Sequence, residues 1–262
     1  MKYKKYEAVW FAVFIVLLAA TICMPTLFGV HTVQRAVIGF VSVLAIFAVI
    51  RILDRKSWSG IVSVHYLTCD LLAFFNEIQV LVNSKFVFKN TKLKLQFLIV
   101  DALLDSGKFE QAFAVLNAID AKRPQRRFSY LYYSAKYHIY MEDRNAAETE
   151  LILLKMEAEK YKRFKKKYND MMETYTDLQN KLMFIKNEYG NCAEYFRKIY
   201  ESSFKTPYEK VFSAYYLGVV SMDKNEAERA KEYFTYTVEK GNKLFIVWKA
   251  KDYLDQLNAA VC

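Results

Sequence analysis

Apolar residues are distributed differently before and after about residue 56. From Ala8 to Met24 the chain reads AVWFAVFIVLLAATICM, without a charge, and Pro25 ends or kinks the run. A second run, AVIGFVSVLAIFAVI, covers Ala36–Ile50 and extends through Arg51 to Leu53. Each is close to the roughly 17–25 residues that cross hydrocarbon, and neither keeps the polar face of a water-exposed helix. No small-x-small cleavage pattern follows the first run, and the second comes at once, which argues against a cleaved leader. The pattern predicts a transmembrane hairpin within residues 1–56, with spans at about 8–24 and 36–53.

Further on, apolar positions recur every three or four residues. In LKLQFLIVDALLD they fall at Leu95, Leu98, Ile99, Ala102 and Leu103; after Gly107 they fall at Phe109, Ala112, Phe113, Leu116 and Ile119. This is the period of helices with one apolar face, and the short break predicts an antiparallel pair turning at Gly107. The pattern returns from Phe128, with Ala147, Leu151 and Leu154 in the second helix, and from Val211, with Ala230 and Phe234. Ala112 and Ala147 stand 35 residues apart. Between Leu154 and Pro207 lies a long insert, read as an extended second helix followed by a degenerate pair turning near Gly190. Residues 57–90 read as a juxtamembrane helical segment. Their apolar stretch Trp58–Val82 is interrupted by His65, Asp70, Asn76 and Glu77 and is placed on the first repeat or along the membrane surface, a third span being the other reading.

The pair spacing, Leu217–Gly218 in a first helix, and Ala230 with Phe234 in the second resemble the tetratricopeptide (TPR) repeat family. Ala112, Leu116 and Pro124, then Ala135, Ala147 and Leu151, supply earlier copies. The family's tryptophan and tyrosine are missing: Gln96, Leu131 and Ala214 stand for the first, and Leu103, His138 and Ser221 for the second. The resemblance implies an all-α fold, with a TPR-like solenoid over 91–262 after the hairpin. It also implies a protein or peptide partner held on the first helices. By helical phase that groove contains Phe97, Asp101 and Leu104, then Tyr132, Lys136, Ile139 and Tyr140, then Tyr215, Val219 and Met222. Phe97 and Asp101 occupy the places where the family's carboxylate clamp begins, so recognition of a C-terminal carboxylate is not implied. The final helix, with Leu244, Val247, Trp248, Tyr253 and Leu257, is expected to cap the array.

Composition adds direction. Seven glycines and three prolines in 262 residues leave few tight turns, which disfavours a β-rich fold. Lys2, Lys4 and Lys5 precede the first span, and Arg51, Arg55 and Lys56 follow the second, against Arg35 alone between them. This bias places both termini and the repeat domain on the cytoplasmic side of an inner or plasma membrane. The net charge of +10 favours acidic partners. Its densest part is EKYKRFKKKY, where Lys162, Arg163, Lys165, Lys166 and Lys167 suit anionic headgroups, while nucleic acid is disfavoured for want of a recognised module. Cys23, Cys69, Cys192 and Cys262 lack metal-ligand spacing and read as free thiols. His31, His65 and His138 are far apart, and there is no phosphate loop, His-Glu-x-x-His or nucleophile elbow. No catalytic residue, metal or cofactor is expected. The chain reads as a membrane-anchored scaffold or, alternatively, as a structural subunit assembled through its spans.

Overall fold

A computed structural model describes residues 62–82, 89–120 and 124–259, with the single positions 41 and 60. Apart from position 41, both expected membrane spans lie outside the described residues. Among those described, no helix is long and apolar enough to cross a membrane. Residues 63–262 form one compact unit. Its regular secondary structure, among the described residues, is entirely helical, without strands. A helical segment, 62–68, precedes α1 (Leu71–Val82), α2 (Lys89–Asp105), α3 (Phe109–Asn117), α4 (Pro124–Tyr140) and α5 (Arg144–Glu159). Then follow α6 (Lys165–Ile185), α7 (Tyr189–Glu201), α8 (Pro207–Asp223), α9 (Ala227–Lys240) and α10 (Phe245–Ala259).

Helices α2 to α9 form four antiparallel pairs. The turn inside every pair has the same construction. Gly107, Glu142, Asn187 and Asn225 take positive φ of 77°, 59°, 65° and 58°. In each turn the next residue's N–H bonds to the carbonyl five back: Lys108 to Leu103 (2.9 Å), Asp143 to His138 (2.9 Å), Glu188 to Met183 (2.9 Å) and Glu226 to Ser221 (2.8 Å). These are Schellman closures, which satisfy the last carbonyls of the first helix. The same next residue then caps the second helix, and Asp143 does so with its side chain, accepting from the Ala146 N–H at 3.1 Å. Four residues beyond each cap comes a fully buried small residue, Ala112, Ala147, Cys192 or Ala230. Four further on, Leu116, Leu151, Phe196 or Phe234 fills the space beside it.

The insert is therefore a full repeat, α6–α7. It turns at Asn187, near the expected Gly190, which itself lies inside α7. Cys192 replaces the expected alanine, so the motif is hidden at the level of residue names. Nor is the basic run a continuous helix: α5 ends at Glu159, 160–164 make a turn, and Lys165 opens α6. Pro124 and Pro207 each begin a first helix, where the missing N–H costs nothing. At Pro207, Thr206 and Glu209 close a reciprocal capping box.

The apolar stretch before the repeats is interrupted at Cys69 and Asp70. Cys69 has φ of 52°, and the Asp70 carboxylate accepts from the N–H groups of Leu72 and Ala73 to start α1. Leu71, Phe74 and Ile78 bury one face of α1, which packs on α2. This segment thus belongs to the same compact unit as the repeats from Ser63 onward. At the other end, Leu244 and the α10 residues Ile246, Val247 and Ala250 cover the last pair. Trp248, expected among the covering residues, is 67% exposed, with the Lys251 ammonium 5.1 Å from its ring centre. Tyr253 does cover the array, stacking on Phe234 at 4.9 Å.

Candidate functional site

The first helices converge on a buried charge cluster. Asp101 and Asp105 lie four apart on α2, on one helical face. Lys136 and Tyr140 do the same on α4. Lys136 Nζ donates to Asp101 Oδ1 at 2.6 Å, to Asp105 Oδ1 at 2.8 Å and to the Tyr208 hydroxyl of α8 at 3.1 Å. The Tyr140 hydroxyl donates to Asp105 at 3.3 Å. From segment 62–68, His65 Nε2 lies 3.0 Å from Asp105 Oδ2, and the Tyr66 hydroxyl donates to Asp101 at 2.9 Å. Asp101, Asp105, Lys136 and His65 are 0–2% exposed. Burial alone pulls the Lys136 ammonium down, but the two carboxylates more than offset this and hold its pKa well above the ordinary range. Burial pushes the Asp105 carboxyl up; Lys136 and His65 outweigh it and hold it below the ordinary range.

His65, Asp101 and Asp105 bring donor atoms of metal-ligating type within 4.8 Å of one another. The Lys136 ammonium already stands where a cation would sit between the aspartates, so the group reads as an ion-pair cluster. Sequence reasoning treated His65 as a break in an apolar stretch and did not group Asp105, Tyr66 or Tyr208 with it. The available signal was charge in the wrong company: two aspartates in IVDALLD and one lysine in YLYYSAKYHIY.

Beside the cluster, a cavity of about 350 Å³ opens between α4, α6, α7 and α8. Its walls include Asp101, Tyr132, Asp177, Tyr195, Tyr208 and Tyr216, and Tyr66 closes one side. Segment 62–68 thus lies along the inner side of the repeats and fills part of the expected groove with His65 and Tyr66. Of the predicted groove residues, Asp101 and Tyr132 reach this cavity, and Lys136 and Tyr140 lie behind its wall. The others lie away from this cavity. Phe97 stacks on Tyr133 at 5.5 Å, and Leu104 and Ile139 are core. Tyr215 lies against Phe234 at 6.2 Å, and Val219 and Met222 are only half-buried and line no part of the cavity. On α8 the inward face is Tyr208, Phe212, Ser213 and Tyr216. The helical phase carried over from the earlier pairs misses it because α9 and α10 claim the face bearing Tyr215.

The five predicted lipid-contacting cations are exposed. Lys162 lies 3.7 Å from Glu159, and Lys167 Nζ sits 3.4 Å from the Tyr161 ring centre. His138 sits near the α4–α5 turn, 3.5 Å from Asp143. Cys69 and Cys192 are buried free thiols whose pKa values burial pushes up, to about 12 and about 11.

Antiparallel helix pairs with small–large packing, first helices turned toward a shared cavity and a covering last helix define an α-solenoid of the tetratricopeptide type. Within that class, residues 78–238, more than half of the chain, match the family described as the SusR N-terminal TPR domain, and the chain belongs to that family. The match begins after His65 and Tyr66 and ends before α10. Neither a curated protein nor a solved structure matches the chain.

Proposed function

We propose that this chain is a membrane-tethered interaction scaffold, whose repeats hold a partner protein at the cavity between α4, α6, α7 and α8. The observation that carries the reading is the cavity itself: about 350 Å³, walled by α4, α6 and α8, the first helices of successive pairs, together with α7, and open beside a buried ion-pair cluster. Tyrosines there offer area with a polar tip, a surface suited to protein recognition. The tether rests on two apolar runs, uncharged over 8–24 and 36–50, and the cytoplasmic orientation on the lysines and arginines flanking them. Tethering confines the partner to the membrane plane and raises its local concentration. The reading assigns the chain no catalytic step.

A photo-crosslinking residue at Tyr132 in the full chain, activated in intact membranes, tests the groove. A discrete crosslinked partner that disappears when Tyr132 and Tyr216 are both replaced by alanine is expected. A partner captured equally well from exposed Trp248 would remove the groove from the account. Protease added to sealed vesicles tests the orientation, and cleavage from the cytoplasmic face is expected.

The turn 160–164 and the start of α6 supply a second contact with the bilayer. Lys165, Lys166 and Lys167 stand at a helix N-terminus, where the helix dipole disfavours cations, so local stability does not account for them. Contact with anionic headgroups does, at about 1 kcal/mol per residue near the surface. Replacing Arg163, Lys165 and Lys166 by glutamine is expected to weaken flotation with phosphatidylserine vesicles at low salt for a chain lacking residues 1–56. Equal flotation of both forms would remove lipid contact from the function.

A further inference from the structure

The charge lining the cavity runs against the chain as a whole. Four carboxylates border it, Asp101, Glu173, Asp177 and Glu209, against two ammonium groups, Lys181 and Lys205. Four minus two leaves a double negative excess in a chain of net charge +10. Behind the wall, Asp105 and Lys136 cancel. The carboxylates have partners: Lys181 lies 2.7 Å from Asp177, and Lys205 lies 3.2 Å from Glu173 and 3.0 Å from Glu209. A carboxylate has about four lone-pair sites, however, so each retains acceptor capacity.

A second observation is independent of charge. Tyr216 and Ser213 are 5% and 2% exposed and line the cavity, and their hydroxyls make no hydrogen bond among the described residues. Both side chains line the cavity and bond to no protein group among the described residues, so a polar group entering it can pair with them. The remaining wall is largely ring: Tyr132, Tyr195, Phe196, Tyr208 and Phe212. One cation already faces it, with Lys181 Nζ 5.8 Å from the Phe212 ring centre. The Tyr195 hydroxyl donates to Asp177 at 3.2 Å; burial pushes its pKa up, and the Asp177 charge adds to the rise.

We propose that this cavity receives the guanidinium group of an arginine side chain from the partner protein. A planar guanidinium stacks on aromatic faces and directs its five N–H donors to carboxylates and hydroxyls together. An anion meets the wrong sign here, and an apolar side chain leaves Tyr216 and Ser213 unpaired. A lysine ammonium finds the carboxylates but forgoes the stacking. The volume, about 350 Å³, is at the small end of ligand pockets and suits one long side chain with water. The assignment rests on the groove reading above and adds the chemistry of what enters.

The test is saturation-transfer NMR on the full chain in detergent micelles, with N-acetyl-arginine amide and its neutral isostere N-acetyl-citrulline amide as probes. The arginine probe is expected to bind at least tenfold more tightly. Asp177→Asn and, at a more exposed wall position, Glu173→Gln are each expected to weaken it severalfold while leaving the citrulline probe and the circular dichroism unchanged. Equal binding of the two probes, or binding of neither, overturns the arginine assignment. A partner crosslinked at Tyr132 but indifferent to Asp177→Asn overturns it while leaving the groove reading intact. Arginine binding without any crosslinked partner does the reverse.

Discussion

Lys136→Met is expected to lower stability at neutral pH by about 3–5 kcal/mol, the cost of removing one partner from a buried ion pair. Methionine keeps most of the volume, so the loss reports the charge. The ammonium is 2.6 and 2.8 Å from Asp101 and Asp105; Asp105 is fully enclosed, and Asp101 is 2% exposed at the cavity wall. In the native chain Asp105 titrates below its ordinary 3.8, so its pairing contributes above that value and is lost as pH falls through the folded pKa. Lys136 titrates above 10.5, so its contribution is complete below that value and is lost as pH rises through the folded pKa. In the variant the sign reverses on the acid side. Two buried carboxylates without the ammonium take up protons more readily, their folded pKa values rise, and stability falls as pH increases through them. Thermal melts of the full chain at pH 5 and pH 8 check it: the wild type is nearly flat between them, and the variant melts roughly 10 °C lower at pH 8 with the gap narrowing at pH 5. Adding Asp101→Asn and Asp105→Asn to the variant is expected to recover much of the loss. A variant with an unchanged, flat profile would mean the cluster is wet and weak.

Gly218 and Phe234 form the second sensitive point. A Cβ added at Gly218 would stand 2.6 Å from a ring carbon of Phe234, which is fully buried and stacked on Tyr253. Gly218→Ala is expected to cost about 1–3 kcal/mol through overpacking. Phe234→Ala is expected to cost about 3–5 kcal/mol through the cavity left behind. The double variant should cost less than the sum, because the new methyl group enters the space the ring vacates. Urea denaturation of the four species measures the coupling, and strict additivity would contradict the close packing of α8 on α9.

These two sites differ in how far the sequence revealed them. Gly218, Ala230 and Phe234 are local to one helix pair, and their spacing alone places them in contact. The same holds for the turn at Gly107, where positive φ favours glycine, and for the small residues at Ala112 and Ala147. Asn187 and Cys192 do the same work under other names, so the third pair passed for an insert. The ion-pair cluster was not legible in this way. Asp105, Lys136, His65 and Tyr208 come from four separate elements, and Lys136 and Tyr208 are 72 residues apart.

By itself the sequence determined the helical class, the pair period and the turn within the first repeat, because each depends on contacts between residues a few positions apart along the chain. Only the tertiary structure decided which face of α8 turns inward, that His65 and Tyr66 fold back into the groove, and that the cavity is acidic in a basic protein. Those outcomes depend on how distant helices rotate against one another to bury charge with its partner, and no local spacing records that rotation.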